Sequence, residues 1–417
     1  MKRLDYTEKC CIFLQKVLSF LPQRFFKPFL CKIIERFTQF HVYTILSESE
    51  FSIKFKSSIE LIKSGRKGHA VSGVSNLTNG KAIIYEEELP NLYLYCHRNV
   101  AISYCSDHII KIKERLIIND YLANKNDDNK TYNDKITRTC FRNIAFLRRN
   151  FKKREIDKGI KICGKYSFNY YHDIYENLIR LVLLRDMNNS IPQEVPIIVD
   201  EDIVRLPSLN CILQELSKDL NREIEIIKQN ELIIVKELWN FTTINQLVPN
   251  YKNVNLTKDT DYLFDKDYIL KMCNSLLPIK SSREFPNKLF ITRKNTNKRN
   301  YNEDDVFSIL EPCGFVKIAP EEFTLEEQIQ MFHNAQWIVS GSGAALTNLI
   351  FCQSGCNVLC LLGTSGRILT CFTTPAFFNN AKMYYYQEEN ENTVGVHSNF
   401  CINVEKFNKY FKSIIES

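Results

Sequence analysis

Residues 337–351 read WIVSGSGAALTNLIF, an apolar, β-prone run that ends in Ser340-Gly341-Ser342-Gly343 and passes at once into a helix-compatible segment from Ala344 to Cys352. A strand, a glycine turn and a helix in that order aim unpaired backbone N–H groups and the positive end of a helix dipole at one point. Such a point suits a phosphate. The chain has only 13 glycines in 417 residues, so two within three positions mark a place where small size matters. Taken alone, the turn is equally compatible with a tight connection that holds no ligand.

The same alternation recurs upstream. Lys288 to Arg293 (KLFITR) has the pattern of a strand, followed by the basic, polar loop Asn295 to Asn302. Asn302 is placed to cap a helix whose first turn carries Glu303, Asp304 and Asp305, the sign the dipole favours. Gly314 stands where that helix should stop, and Phe315 to Ala319 is the next strand. Thr324 with Glu327 predicts a capping box before the helix Leu325 to Asn334, and Asn357 to Leu362 (NVLCLL) is a further strand. Strands alternating with short helices give a parallel sheet, whose ligands sit beyond the carboxyl ends of the strands. The loops after Arg293 and after Gly341 both leave such ends and therefore open on one edge.

These segments resemble the carboxyl half of the glycosyltransferase 61 family. The likeness rests on KLFITRKNTNKRN, on the "GF" strand and "L-E-Q" helix of EPCGFVKIAPEEFTLEEQ, and on the turn SGSGAALTN. The amino half agrees: Glu88 to Leu94 (ELPNLYL) and Gly164 to Leu181 (GKYSFNYYHDIYENLIRL) are similar to the family's amino-domain segments, the second to N-Y-Y-H-W-x-x-[DE]-x-L-x-R-L. The resemblance covers roughly residues 85 to 405. It departs at Ser342, where many members have His, at Ala345, where many have Gly, and at Asp173, where an aromatic is usual. Serine and alanine versions of the turn resemble the bacterial polysaccharide branch.

The resemblance implies an α/β fold of two Rossmann-like domains facing across a cleft, similar to the GT-B arrangement. It also implies inversion at the anomeric carbon and a site that relies on helix dipoles and basic side chains. We expect a helical amino-terminal extension over residues 1–80, an acceptor-side α/β domain over 81–262 and a nucleotide-sugar-binding domain over 263–417. In the second of these, Ile160 to Cys163, Val195 to Val199, Glu223 to Ile227 and Leu232 to Val235 read as strands, and Asn169 to Leu184 and Pro207 to Leu216 as helices.

Sugar transfer from a nucleotide donor needs a base for the acceptor's proton and positive groups for the departing diphosphate. Arg293 and Arg299 are the candidates for the second task, because guanidinium groups grip phosphate oxygens in a fixed fork. Ser342, Gly343, Ala344, Thr347 and Asn348 would line the pocket, with Asn169 on the opposite side. His172 is the candidate base, with Glu176 four residues on to orient it. The literal D-x-D match, Asp259-Thr260-Asp261, sits in a helix start or linker, so no metal or other cofactor is expected.

Composition sets wider bounds. At 44% hydrophobic residues the chain is globular, and its net charge of +7 is modest for its length, which gives no reason to expect a nucleic-acid partner. None of the 15 cysteines forms a C-x-x-C pair, and a reduced compartment is the simplest setting. Residues 12–40 interleave Phe and Leu with Lys and Arg; they suit a peripheral membrane contact as well as a helical hairpin packed on the body. The expected protein acts in the cytoplasm, at or near the inner face of the membrane. It moves a sugar from a nucleotide-sugar donor to a glycan acceptor, a growing surface polysaccharide. A protein or lipid acceptor, and a non-catalytic sugar-nucleotide-binding assembly subunit, remain open at this point.

Overall fold

The computed structural model describes residues 40–77, 82–120, 132, 134–141, 144–148, 151–247, 258–279, 281–296, 298–363, 370–388 and 398–416. The amphipathic stretch 12–40 lies outside these except for Phe40, and of the charged, Asn-rich residues 124–134 only Tyr132 and Asp134 are among them. Among the described residues no helix is long and apolar enough to cross a membrane.

The protein is α/β. Its carboxyl half is a parallel sheet in the order Val316–Ile318, Lys288–Ile291, Trp337–Gly341, Asn357–Gly363, Lys382–Glu388. The four strands expected from the sequence are present with ends moved by a residue or two. Asn357–Gly363 is buried along both faces, as a parallel strand covered by helices should be. Register fixes the geometry that matters for the site. Ile291 pairs with Ser340, so Arg293 comes to lie opposite Ser342 across neighbouring strand ends. The capping box of Thr324 and Glu327 forms, and Gly314 ends its helix with φ +86° in the left-handed region. Asn302 behaves differently from expectation. Its side chain makes no cap; its amide accepts from the Ile402 N–H at 2.8 Å and donates to the Ile402 carbonyl at 3.1 Å, which ties the loop to the chain's last segment.

The amino half holds four neighbouring parallel strands, Ile224–Ile227, Ile197–Asp200, Lys152–Lys161 and Glu231–Phe241. Two of these are much longer than the apolar runs suggested, because charged residues alternate along KKREIDKGIK and its side chains at those positions meet solvent. Beyond Glu231–Phe241 the sheet continues into mainly antiparallel strands, beginning with Leu92–Ser103, to a total of eleven among the described residues.

The expected helical extension is largely strand over residues 40–77. Only Glu48–Phe55 is helical; Phe40–Leu46, Ser58–Lys63, Arg66–Val71 and Val74–Ser75 are extended. FHVYTIL carries β-branched and aromatic residues that pack on a pleated surface, which overrides a helical reading. Val74–Ser75 adds a parallel edge to the carboxyl sheet beside Lys382–Glu388. Arg66, 2% exposed, donates to Asp265 Oδ2 at 3.0 Å and to the Pro90 carbonyl at 2.7 Å. One apolar core runs from Leu92 and Leu178 through Leu213 and Met272 to Leu289 and Leu349, so both halves share it.

Candidate active site

A cleft of about 600 Å³ opens between the halves. Phe168, Tyr170 and Pro207 form its amino-half wall, and Arg293, Arg299 and Gly343 are on the carboxyl side. Parallel strand ends supply the second set, as the register of Ile291 with Ser340 requires.

Arg293 is braced. Its Nη1 donates to the Ser342 carbonyl at 2.8 Å, its Nη2 donates to the Lys298 carbonyl at 2.8 Å, and its backbone N–H donates to Glu303 Oε2 at 2.7 Å. The glycines of the turn make room for it. A Cβ on Gly343 would stand 2.4 Å from Arg293 Nη1, and one on Gly341 would stand 2.7 Å from Arg293 Cδ. The small residues therefore clear space for an arginine, in addition to any approach by a phosphate. Arg299, whose backbone has φ +56°, has no hydrogen-bond or ion-pair partner among the described residues. Burial lowers the pKa of both guanidinium groups, and for Arg293 the nearby Arg299 lowers it further. Two cations side by side with one unpaired is an arrangement that an anion would relieve.

The turn differs in detail from its sequence reading. Ala344–Phe351 is a 3₁₀ helix, not an α-helix. The Ser342 N–H is already bonded to the Leu361 carbonyl at 3.2 Å, so it is not open to a ligand. Ala344 and Ala345 line the cleft, and as the first residues of the helix their N–H groups have no partner within it. Ser342 and Thr347 are buried behind the turn, each with an unpartnered hydroxyl. Asn348 does line the cleft, but its side chain is committed: Oδ1 accepts from the Tyr170 hydroxyl at 2.8 Å, and Nδ2 donates to Gln328 Oε1 at 3.0 Å. Gln328 in turn donates to Ser208 Oγ at 3.3 Å, so a polar clasp crosses the cleft. Sequence reasoning missed Tyr170, Ser208 and Gln328 as site residues. Tyr170 and Gln328 lay inside the quoted motifs, whereas Ser208 carries no sequence signal.

The helix after the clasp carries His172. Asn169 caps it, accepting the Tyr171 N–H at 3.0 Å, and residues Asp173–Leu178 form a π turn. Such widened turns cost backbone regularity and recur at functional sites. His172 Nδ1 is in direct contact with Glu176 Oε1, as the spacing predicted. Neither residue lines the cleft. The His172 ring instead packs on Tyr166, centroids 4.7 Å apart, and Tyr166 meets Phe168 at 6.3 Å, which does line it. Asp173, the unusual residue of the motif, is fully buried. Burial pushes its carboxyl well above the usual carboxylate range, and its Oδ1 accepts from Asn177 at 2.9 Å. It is a support inside the π turn and does not face an acceptor.

Residues 170–359 match the family model described as Glycosyltransferase 61. The protein is thus a glycosyltransferase. More particularly, it carries a glycosyltransferase 61 domain that spans the His172 helix, both arginines and the glycine turn. No curated protein matches the chain.

Beneath the His172 loop lies Asp200, at the end of Ile197–Asp200 and fully buried. Its Oδ1 accepts the Cys105 N–H at 2.8 Å, and its Oδ2 accepts the Gly164 N–H at 3.2 Å and the Ser167 hydroxyl. Burial pushes its carboxyl up from 3.8 to about 7, against the pull of those donors. A carboxyl raised in the folded state contributes stability that is complete below its unfolded pKa and is lost as pH rises through about 7. We expect the melting temperature of Asp200→Asn to be lower at acid pH but less steeply dependent on pH between about 4 and 7. Parallel melting curves for the two proteins across that range would assign the pH dependence elsewhere.

Proposed function

We propose that the protein transfers a sugar from a nucleotide-sugar donor to a growing surface polysaccharide, without a metal, at the cytoplasmic face of the membrane. The reading takes the two sheets as the GT-B-like pair of lobes, with donor on the carboxyl side and acceptor on the amino side. The observation that carries it is the unpaired Arg299 guanidinium beside the braced Arg293, over open N–H groups in a cleft. In this reading the donor's diphosphate lies across Arg299, Arg293 and the N–H groups of Ala344 and Ala345. His172, oriented by Glu176, takes the proton of the acceptor hydroxyl. That oxygen bonds to the anomeric carbon as the bond from carbon to the diphosphate oxygen breaks, with inversion.

Asp259 and Asp261 take no part in this scheme. Asp259 Oδ2 accepts from Tyr85 at 3.0 Å, Asp261 Oδ2 accepts the Lys258 N–H at 2.6 Å, and neither lines the cleft. The test is thermal stabilisation by UDP, GDP, CDP and ADP in the presence of EDTA. At about 100 times its dissociation constant, a ligand that binds only the folded state adds roughly 2.7 kcal/mol. One of the four is expected to raise the melting temperature, and Arg299→Ala to lose most of that rise. No stabilisation by any of them, or stabilisation only when Mg²⁺ or Mn²⁺ is restored, would overturn this reading.

A further inference from the structure

The loop Gly164 to Asn169 is held with unusual completeness. Beyond the bonds to Asp200, the Lys165 N–H donates to Asp107 Oδ1 at 3.1 Å, the Ser167 hydroxyl donates to the Gly164 carbonyl at 2.6 Å, and the Asn169 N–H donates to the Tyr166 carbonyl at 2.8 Å. Tyr166 sits at φ +62°, a left-handed conformation that a bulky side chain rarely adopts. There is no slack at the base either, since a Cβ on Gly164 would stand 2.3 Å from Asn177 Oδ1. What this rigid loop presents is Phe168, 49% exposed, on the wall of the cleft.

A single exposed aromatic needs no explanation. Here, however, backbone strain and a buried carboxylate support one, and its neighbour Tyr166 packs directly on His172. Lys135 Nζ stands over one face of the Phe168 ring, 5.4 Å from its centroid, and adds a hydrogen-bond donor beside the aromatic surface. A flat apolar face with polar groups at its margin complements one chemistry well: a pyranose ring, with axial C–H bonds on one face and hydroxyls around its edge. Binding geometry held by the scaffold, not by the ligand, also lowers the ordering cost of a weak sugar contact.

We propose that Phe168 is the platform for the acceptor's pyranose ring, stacking on its C–H face and presenting its hydroxyl toward His172, with Tyr166 as the spacer that sets the separation. This rests on the proposed function for the identity of the acceptor and for the role of His172; the sugar contact itself is tested independently of the nucleotide. Tyr166 is a positioning residue and Phe168 a binding residue.

The experiment is saturation-transfer NMR on the full chain with the methyl pyranosides of glucose, galactose, mannose and xylose, run with and without UDP. At least one is expected to receive saturation chiefly at its axial C–H protons. Phe168→Ala should weaken that contact about tenfold, a loss of the size an aromatic contact supplies, while Phe168→Tyr and Phe168→Trp retain it. Being half exposed, Phe168→Ala should keep the melting temperature of the parent. Any stabilisation by UDP should be unchanged in it. The proposal is overturned if no pyranoside binds the parent protein, or if binding survives Phe168→Ala. It is equally overturned if Phe168→Ala weakens UDP in place of the sugars, which would make the ring a support for a nucleobase. Absence of stabilisation by all four nucleoside diphosphates in the parent protein would count against the donor reading alone.

Discussion

His172→Ala is expected to lower turnover by about 10² to 10⁴ while leaving nucleotide affinity nearly unchanged. The split follows from placement. The His172 ring is fixed from two sides, by Glu176 at Nδ1 and by the Tyr166 ring, so its Nε2 is the atom left for an acceptor proton. Nothing in the cationic part of the cleft touches it, so its loss should not disturb a bound diphosphate. Glu176→Gln should lose less, because an amide can still orient the imidazole but does not raise its basicity. Single-turnover rates with a nucleotide sugar and acceptor, set beside the affinity of the same variants for the nucleoside diphosphate that stabilises the parent protein, make the measurement. Near-normal turnover in His172→Ala would place the base elsewhere, and buried Asp173 would not be the replacement.

Gly343→Val is expected to cost nucleotide affinity about 10- to 100-fold, the worth of one or two lost charge-assisted hydrogen bonds. The reason is space and not backbone conformation, since Gly343 has φ −178°, which any residue adopts. The added carbon would collide with Arg293 Nη1 and push the guanidinium off the Ser342 and Lys298 carbonyls. The far end of an arginine can move, so the fold should survive with a modest drop in melting temperature. Gly343→Ala should act in the same direction, more weakly. Calorimetric titration with the nucleoside diphosphate that stabilises the parent protein gives the comparison. Unchanged affinity in Gly343→Val would show that neither the turn nor Arg293 meets the donor.

The two predictions rest on contacts of different range, His172 with its near neighbours Glu176 and Tyr166 and Gly343 with the distant Arg293, and the chain announced them unequally. Four strands of the carboxyl sheet were legible because each is a short apolar run closed by glycine or a polar loop, and because capping residues mark the helix starts. The pairing of His172 with Glu176 was legible too, being a local helical spacing. The expected helical extension was misread over its described part because its short strands gain their stability from partners distant in sequence, as Val74–Ser75 does beside Lys382–Glu388. Charged strands such as Lys152–Lys161 hide for a related reason: a face that meets solvent leaves no apolar period to read.

By itself the sequence determined the α/β class, the order of strands and helices from Lys288 to Leu362, the glycine turn and the local spacing of its candidate base. Those are matters of propensity, capping and period, which act over a few residues. Only the tertiary structure decided that Asn348 is spent on Tyr170 and Gln328, that Ser342 is braced behind the turn, and that Arg299 is left without a partner. It alone also set Phe168 on the cleft wall beside the ring that packs on His172. The cleft is closed by side-chain contacts between residues more than a hundred positions apart, such as Tyr170 with Asn348, and no local pattern in the chain carries that information.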